Sequence, residues 1–329
     1  MPTYPEVLAE LQQQGITATE SDFYEFDGFP LENEFRRFFE FCQKYLDRND
    51  LGYNIRPARF FYNTRITLNG CARTENGYGL VEIWKGSIFR LYELFHNRND
   101  RFAPAPFQRY TTLAAREGIT PGYFLFQMGT LFFLYHETGH LIQRGGQLGD
   151  NLEFAGQECI GAQVPIQHMR ELDADAFACH CMAMHVVQFA ETCTPAGKTV
   201  SADLLAEAAA LALAAIYIFF IHLSDGLPAI YYEEKCHPHP GVRLSYCVMF
   251  LLQNLQANVP QPIAQQAILT EAIRISEQLM REPGENLVEA FSLALAQDLD
   301  VVETYINHIL NNTHRYPHLT VHILQTGHP

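Results

Sequence analysis

Two stretches of this chain, Ile119–Tyr135 and Ala208–Ser224, each run for 17 residues without an Asp, Glu, Lys or Arg. A helix with no polar face has to be covered on all sides, by protein or by lipid. At 17 residues both sit at the bottom of the length range for crossing a bilayer. The expectation is therefore two buried core helices, with membrane association disfavoured but left open. Helices of this kind need a large body around them. A chain of 329 residues, 48% hydrophobic, is long enough to supply it as two domains or as one large core. The remaining composition narrows the partners. With 22 Lys+Arg against 37 Asp+Glu, the net charge is −15, and such a surface repels phosphate backbones, so nucleic acid is not an expected partner.

The N-terminus, MPTYPEVLAELQQQG, reads as a short amphipathic helix and lacks the basic and apolar regions of a secretory signal. The eight cysteines show no CxxC pair and no framework spacing. They are expected to be reduced thiols, which points to a cytoplasmic setting. A helix is predicted over 31–48, followed by β-rich runs over 52–85. Asn69-Gly70 and Asn76-Gly77 mark hairpins there. Helical periodicity resumes near Gly86, and Gly122–Gln143 forms one long helix ended by Arg144-Gly145-Gly146. Further helices are expected over 169–190, 202–224 (with Ser201 as N-cap), 241–257, 263–281 and 286–312. Residues 145–161 carry glycines at 145, 146, 149, 156 and 161, and read as a loop-rich insertion and candidate lid. The fold class is mainly α with a small β-sheet (α+β). Its expected parts are an N-terminal helical segment (1–50), a central body (51–257) and C-terminal helices packed on the same core (258–329).

The first apolar run leads straight into His136-Glu137-Thr138-Gly139-His140. Positions i and i+4 share a helix face, so both imidazoles can reach one ion, and Glu137 sits one position round as a candidate general base that does not ligate. The alternative is two surface histidines on a helical turn. A third ligand is offered by Glu171, 31 positions after His140, within His168-Met-Arg-Glu-Leu-Asp-Ala-Asp. Glu171 and Asp175 are like charges four apart on one helix face, an unfavourable pairing that a cation would reverse. Glu171 would then ligate zinc, and Asp175 would hold the other nitrogen of a ligating histidine. An ordinary exposed acidic face is the competing reading. Asp173 points the other way and is expected to be a solvated charge. In Cys236-His237-Pro238-His239-Pro240-Gly241-Val242-Arg243, His237 and Arg243 suit an oxyanion-stabilising role, with Tyr231 or Tyr232 as replacements. The bland alternative is a turn with two His-Pro steps before a helix.

These residues together resemble the Ste24/HtpX-type zinc peptidases: HExGH, then Glu-Leu-Asp-Ala-Asp, then His-Pro followed by Arg243 six residues after His237. The closer resemblance is to the Lit phage-exclusion peptidase family. It extends upstream to Gly52-Tyr53-Asn54-Ile55-Arg56 and Val81-Glu82-Ile83-Trp84, and spans about residues 50–255. The resemblance implies a zincin-like core and a zinc endopeptidase, with His136, His140 and Glu171 as ligands, Glu137 as base and His237 on the oxyanion side. It also implies a phage-defence role in which elongation factor Tu is cut when a phage peptide or protein signals infection. Two other readings stay open: a housekeeping quality-control peptidase and a zinc-stabilised scaffold or sensor without turnover. Peptidases of this sort hold substrates extended, so Tyr78–Trp84 is expected to serve as an edge strand for the substrate backbone.

Overall fold

The computed structural model describes residues 1–19, 21–48, 53, 55–144, 163–224, 229–282, 286–315 and 319–320. The candidate lid 145–161 lies outside them. The chain opens with two helices, α1 (Tyr4–Gln13) and α2 (Glu32–Leu46). Both turn aromatic and aliphatic faces onto a sheet of β1 (Ala58–Asn63), β2 (Gly70–Glu75) and β3 (Tyr78–Trp84). Phe35 of α2 meets the Tyr62 ring edge-on at 4.9 Å, and the Tyr62 hydroxyl donates to the Phe35 carbonyl at 3.0 Å. Burial of these rings, each contributing about 1.5–3 kcal/mol, holds the N-terminal helices to the sheet.

The strand order is β1-β3-β2, with β1 parallel and β2 antiparallel to β3. Asn76-Gly77 is the expected hairpin turn; φ is +49° and +82° at the two residues, as the tight mirror-image turn requires. Asn69-Gly70 is not a hairpin. Residues 64–69 cross the end of β3 instead, and Gly70 opens β2 at a close approach, where a Cβ would lie 2.9 Å from the Glu82 carbonyl oxygen and 3.0 Å from the Phe133 ring. The expectation for Tyr78–Trp84 is also corrected. That segment is the central strand, paired on both sides, so it has no free edge for a substrate; among the described residues β2 is the strand of this pair with only one partner.

After α3 (Lys85–Phe95) and α4 (Gln108–Ala115), the two apolar runs lie in α5 (Pro121–Arg144) and α7 (Ala202–Leu223). Ser201 caps α7 by accepting from the Leu204 amide at 3.2 Å. Of the described helices, α7 alone is long and apolar enough to cross a membrane, and its Leu204–Ile221 segment is almost wholly buried in the protein core. α5 packs on α6 (Gln163–Thr192), α6 on α8 (Pro240–Asn258), and α7 on α9 (Gln265–Met280). One continuous buried cluster runs from Tyr4 to Phe291, and a second, which includes Met169, Val242, Tyr246, Val302 and Leu319, seats the helix at Leu299–Leu310 and the C-terminal segment against α6 and α8. The helix expected over 286–312 is two, α10 (Leu287–Gln297) and α11 (Leu299–Leu310), because Asp298 takes φ −107° and ψ 11° and breaks the ladder. The outcome is a mainly helical α+β fold. One cysteine expectation is corrected: Cys236 is disulfide-bonded, while Cys42, Cys71, Cys179, Cys181, Cys193 and Cys247 are free. Spacing along the chain does not show which thiols a fold brings within bonding reach.

Candidate metal centre

The HExxH segment occupies the last turns of α5, which cross α6 at an unusually short distance. A Cβ on Gly139 would sit 2.9 Å from Ala174 Cα and 3.2 Å from Ala174 Cβ. The absence of a side chain at 139 therefore lets α6 approach closely enough for Glu171, one turn before Ala174, to reach the two histidines. His136, His140 and Glu171 form a group that can hold a metal ion. The Nε2 atoms of His136 and His140 are 3.2 Å apart; His136 Nε2 lies 3.5 Å from Glu171 Oε2, and His140 Nε2 lies 3.5 Å from the other oxygen, Oε1. His136 and Glu171 are buried, and His140 is partly buried.

Asp175 is where the sequence put it. Its Oδ1 is 2.9 Å from His136 Nδ1, on the side of the ring away from the converging Nε2 atoms. Arg243 is brought to the same place, but not facing a substrate. It is buried beneath the site and grips Asp175 with Nε at 2.8 Å and Nη2 at 2.7 Å. Its Nη1 lies 3.4 Å from Glu171, and its guanidinium carbon 5.1 Å from the centre of the Phe220 ring. The oxyanion role expected of Arg243 is thus corrected. Its donors are spent on two buried carboxylates, whose charge it balances together with His136, His140 and His237. Burial pushes the Asp175 carboxyl up, but the charge and hydrogen bonds of Arg243, together with His136, outweigh it and hold it below its ordinary value. Glu171, likewise pushed up by burial, is brought well below its ordinary value by His237, His140 and Arg243. For His136, burial and Arg243 favour the neutral ring, yet the bond to Asp175 and the charge of Glu171 leave its pKa raised.

His237 reaches the opposite, open side. Its side chain is 66% exposed and its Nδ1 lies 3.3 Å from Glu171 Oε1, whose charge raises the imidazole's pKa. The Glu137 charge adds to that rise, and also to that of the Cys71 thiol, which burial and Glu82 push up to about 12. Glu137, itself buried, therefore sits within electrostatic reach of both the His237 loop and strand β2.

Several further residues support the site. His140 Nδ1 is 3.1 Å from Gln143 Oε1, and the Gln143 amide donates at 2.8 Å to both the Arg170 carbonyl and Asp173 Oδ2. Asp173 is accordingly buried, not the solvated charge expected. It lies where α5 crosses α6 and also accepts from the Thr320 amide at 2.8 Å. His168 is buried one turn before Glu171; it bonds the Tyr305 hydroxyl at 2.6 Å through Nδ1 and the Lys235 carbonyl at 2.8 Å through Nε2, and Tyr305 donates to the Tyr232 carbonyl at 2.9 Å. Those bonds fix the strand of chain that carries His237. Gln143 and His168 stand at i+3 and i−3 from candidate ligands, a spacing that could have flagged them; Tyr305 and Thr320 have no local signal. Comparison of the chain with protein-family models, with curated proteins and with solved structures finds no match in any of the three.

Proposed function

We propose that the protein is a zinc-dependent endopeptidase. The observation that carries this reading is the convergence of two imidazole Nε2 atoms and one carboxylate at separations of 3.2–3.5 Å. Ligand bonds of about 2.0–2.1 Å meeting at the tetrahedral angle place donor atoms about 3.3–3.4 Å apart, a spacing that the two Nε2 atoms match, while the carboxylate presents Oε2 to His136 and Oε1 to His140. Two histidines and one carboxylate leave a fourth position open, which is the pattern of catalytic rather than structural zinc.

Held by His136, His140 and Glu171, a zinc ion would supply Lewis acidity to a water nucleophile and to the scissile carbonyl. Glu137, adjacent in sequence to the first ligand but not one of the converging group, accepts the proton of the attacking water and passes it to the leaving amine. His237, exposed on the open side with a raised pKa, donates to the oxygen that becomes negative. Asp175 and Arg243 keep His136 and Glu171 aimed and charge-balanced.

The Lit-like motifs direct the choice of substrate to a cytoplasmic translation factor, elongation factor Tu, with a phage-derived peptide as trigger. The test is expression of wild type beside Glu137→Gln, followed by proteomics of new N-termini and zinc analysis. Wild type should yield one dominant cut in an abundant translation factor, and the variant none while it keeps about one zinc per chain. Scattered cuts would support a quality-control peptidase. Identical N-termini in the two samples would sink the peptidase reading.

A further inference from the structure

The hydrogen bonds around Gln143 contain a proton count that the metal site needs. The Arg170 carbonyl oxygen has no proton to give, and Asp173 Oδ2 already accepts from the Thr320 amide. Both lie 2.8 Å from the same nitrogen of Gln143, so that nitrogen must be the NH2 and must spend both protons on them. Turning the amide over would set three oxygens against one another. The Gln143 oxygen is thereby forced towards His140 Nδ1, 3.1 Å away, and can only accept there. His140 must then carry its proton on Nδ1, which leaves the Nε2 lone pair bare on the side of His136 and Glu171. His136 receives the same instruction more directly, from the Asp175 carboxylate at 2.9 Å.

We propose that Gln143 and Asp173 are positioning residues that fix the tautomer of His140, and that Thr320 in the C-terminal segment anchors this relay. Thr320 is buried, its amide donates to Asp173 Oδ2 and its hydroxyl to the Asp173 carbonyl at 3.2 Å. The C-terminal segment is thus wired to a ligand on α5 through α6, by a route whose two ends, Gln143 and Thr320, lie outside the recognisable motifs. The proposal rests on the metal reading above, and its test separates the two.

Long-range proton–nitrogen correlation spectra of the metal-free wild type, taken at alkaline pH, report which ring nitrogen of each histidine carries hydrogen. His140 should appear with Nδ1 protonated and Nε2 bare. Zinc affinity, measured by competition with a chromophoric chelator, should fall about 10- to 100-fold in Gln143→Leu and in Asp173→Ala. In Asp173→Ala, where only the Arg170 carbonyl still holds the amide in its orientation, the His140 signals should shift towards the Nε2-protonated form. A purely structural role would lower the melting temperature without moving those signals. Wild-type His140 protonated on Nε2 overturns the relay whether or not either variant folds, as do wild-type zinc affinities in both variants. Failure of the wild type to bind zinc overturns the metal reading itself.

Discussion

Arg243→Met removes the guanidinium that links two buried carboxylates, and its cost can be worked from the contacts. Arg243 holds Asp175 through two bonds of 2.8 and 2.7 Å and stands 3.4 Å from Glu171, all three side chains being at most 10% exposed. Unit charges about 4 Å apart interact by roughly 4 kcal/mol at the effective dielectric suited to such sites. Breaking a buried pair by deleting one partner costs about 3–5 kcal/mol. For 329 residues the unfolding entropy is about 0.7 kcal/mol per kelvin, so the metal-free variant should melt roughly 4–7 °C below wild type. With zinc present the deficit should at least halve, because the ion's charge replaces the guanidinium beside Glu171. By linkage the variant must then bind zinc more tightly than wild type. Acidification gives a second check. In wild type the Asp175 contribution is present above its unfolded pKa of about 3.8 and is lost as pH falls through the lowered folded value. In the variant, burial acts without opposition from Arg243, the carboxyl titrates higher, and protonation relieves the strain. The gap between the proteins should therefore narrow as pH drops from neutral. Melting curves with chelator and with zinc, at neutral and mildly acidic pH, decide the matter. A deficit that is the same in all four conditions would mean that Arg243 only fills space, and the electrostatic argument would be wrong.

Two further predictions concern the same helices. Gly139→Ala gains helix propensity worth about 1 kcal/mol, yet its Cβ would press on Ala174 at 2.9 Å. Overpacking of about 1–3 kcal/mol should win, lowering both melting temperature and zinc affinity as α6 carries Glu171 away; a more stable variant with unchanged affinity would refute the close-crossing account. Zinc must also displace the proton that Asp175 and Glu171 favour on His136, whose pKa lies above its ordinary 6.5. Apparent affinity should start to fall above pH 6.5 on acidification, with proton release visible by calorimetry in buffers of different ionisation enthalpy. An affinity that holds steady down to 6.5 would contradict the raised value.

The apolar runs, HExGH and the Glu171–Asp175 pair were legible because each depends on a helical repeat of a few residues, and such a repeat is a property of neighbouring positions. His136, His140, Glu171 and Asp175 stand in the relations that their spacing demanded. What sequence could not show was which way a residue faces once helices cross. Asp173 points away from Asp175 around α6, as the helical wheel says, but that direction leads into the contact with α5 and the C-terminal segment rather than into water. From sequence alone Arg243 reads as facing a substrate, because a cation near a metal site has two possible tasks and only the packing of α8 under α6 decides between them. The strand error has a similar cause: Tyr78–Trp84 looks like any half-buried strand, and its central place depends on β1 crossing to lie parallel on its far side.

The site's parts are also spread along the time axis of synthesis. Asp175 leaves the ribosome 68 residues before Arg243, so the carboxylates beneath the histidines have no guanidinium to neutralise them until α8 has been made. The partners Tyr305 and Thr320 follow His168 and Asp173 by 137 and 147 positions. At an elongation rate of about 5–20 residues per second, roughly ten seconds or more separate the first ligand from the last support. An unfinished chain thus carries the reactive groups without the frame that aims them. If the proposed peptidase acts on a translation factor, that delay would spare the machinery that is still making it.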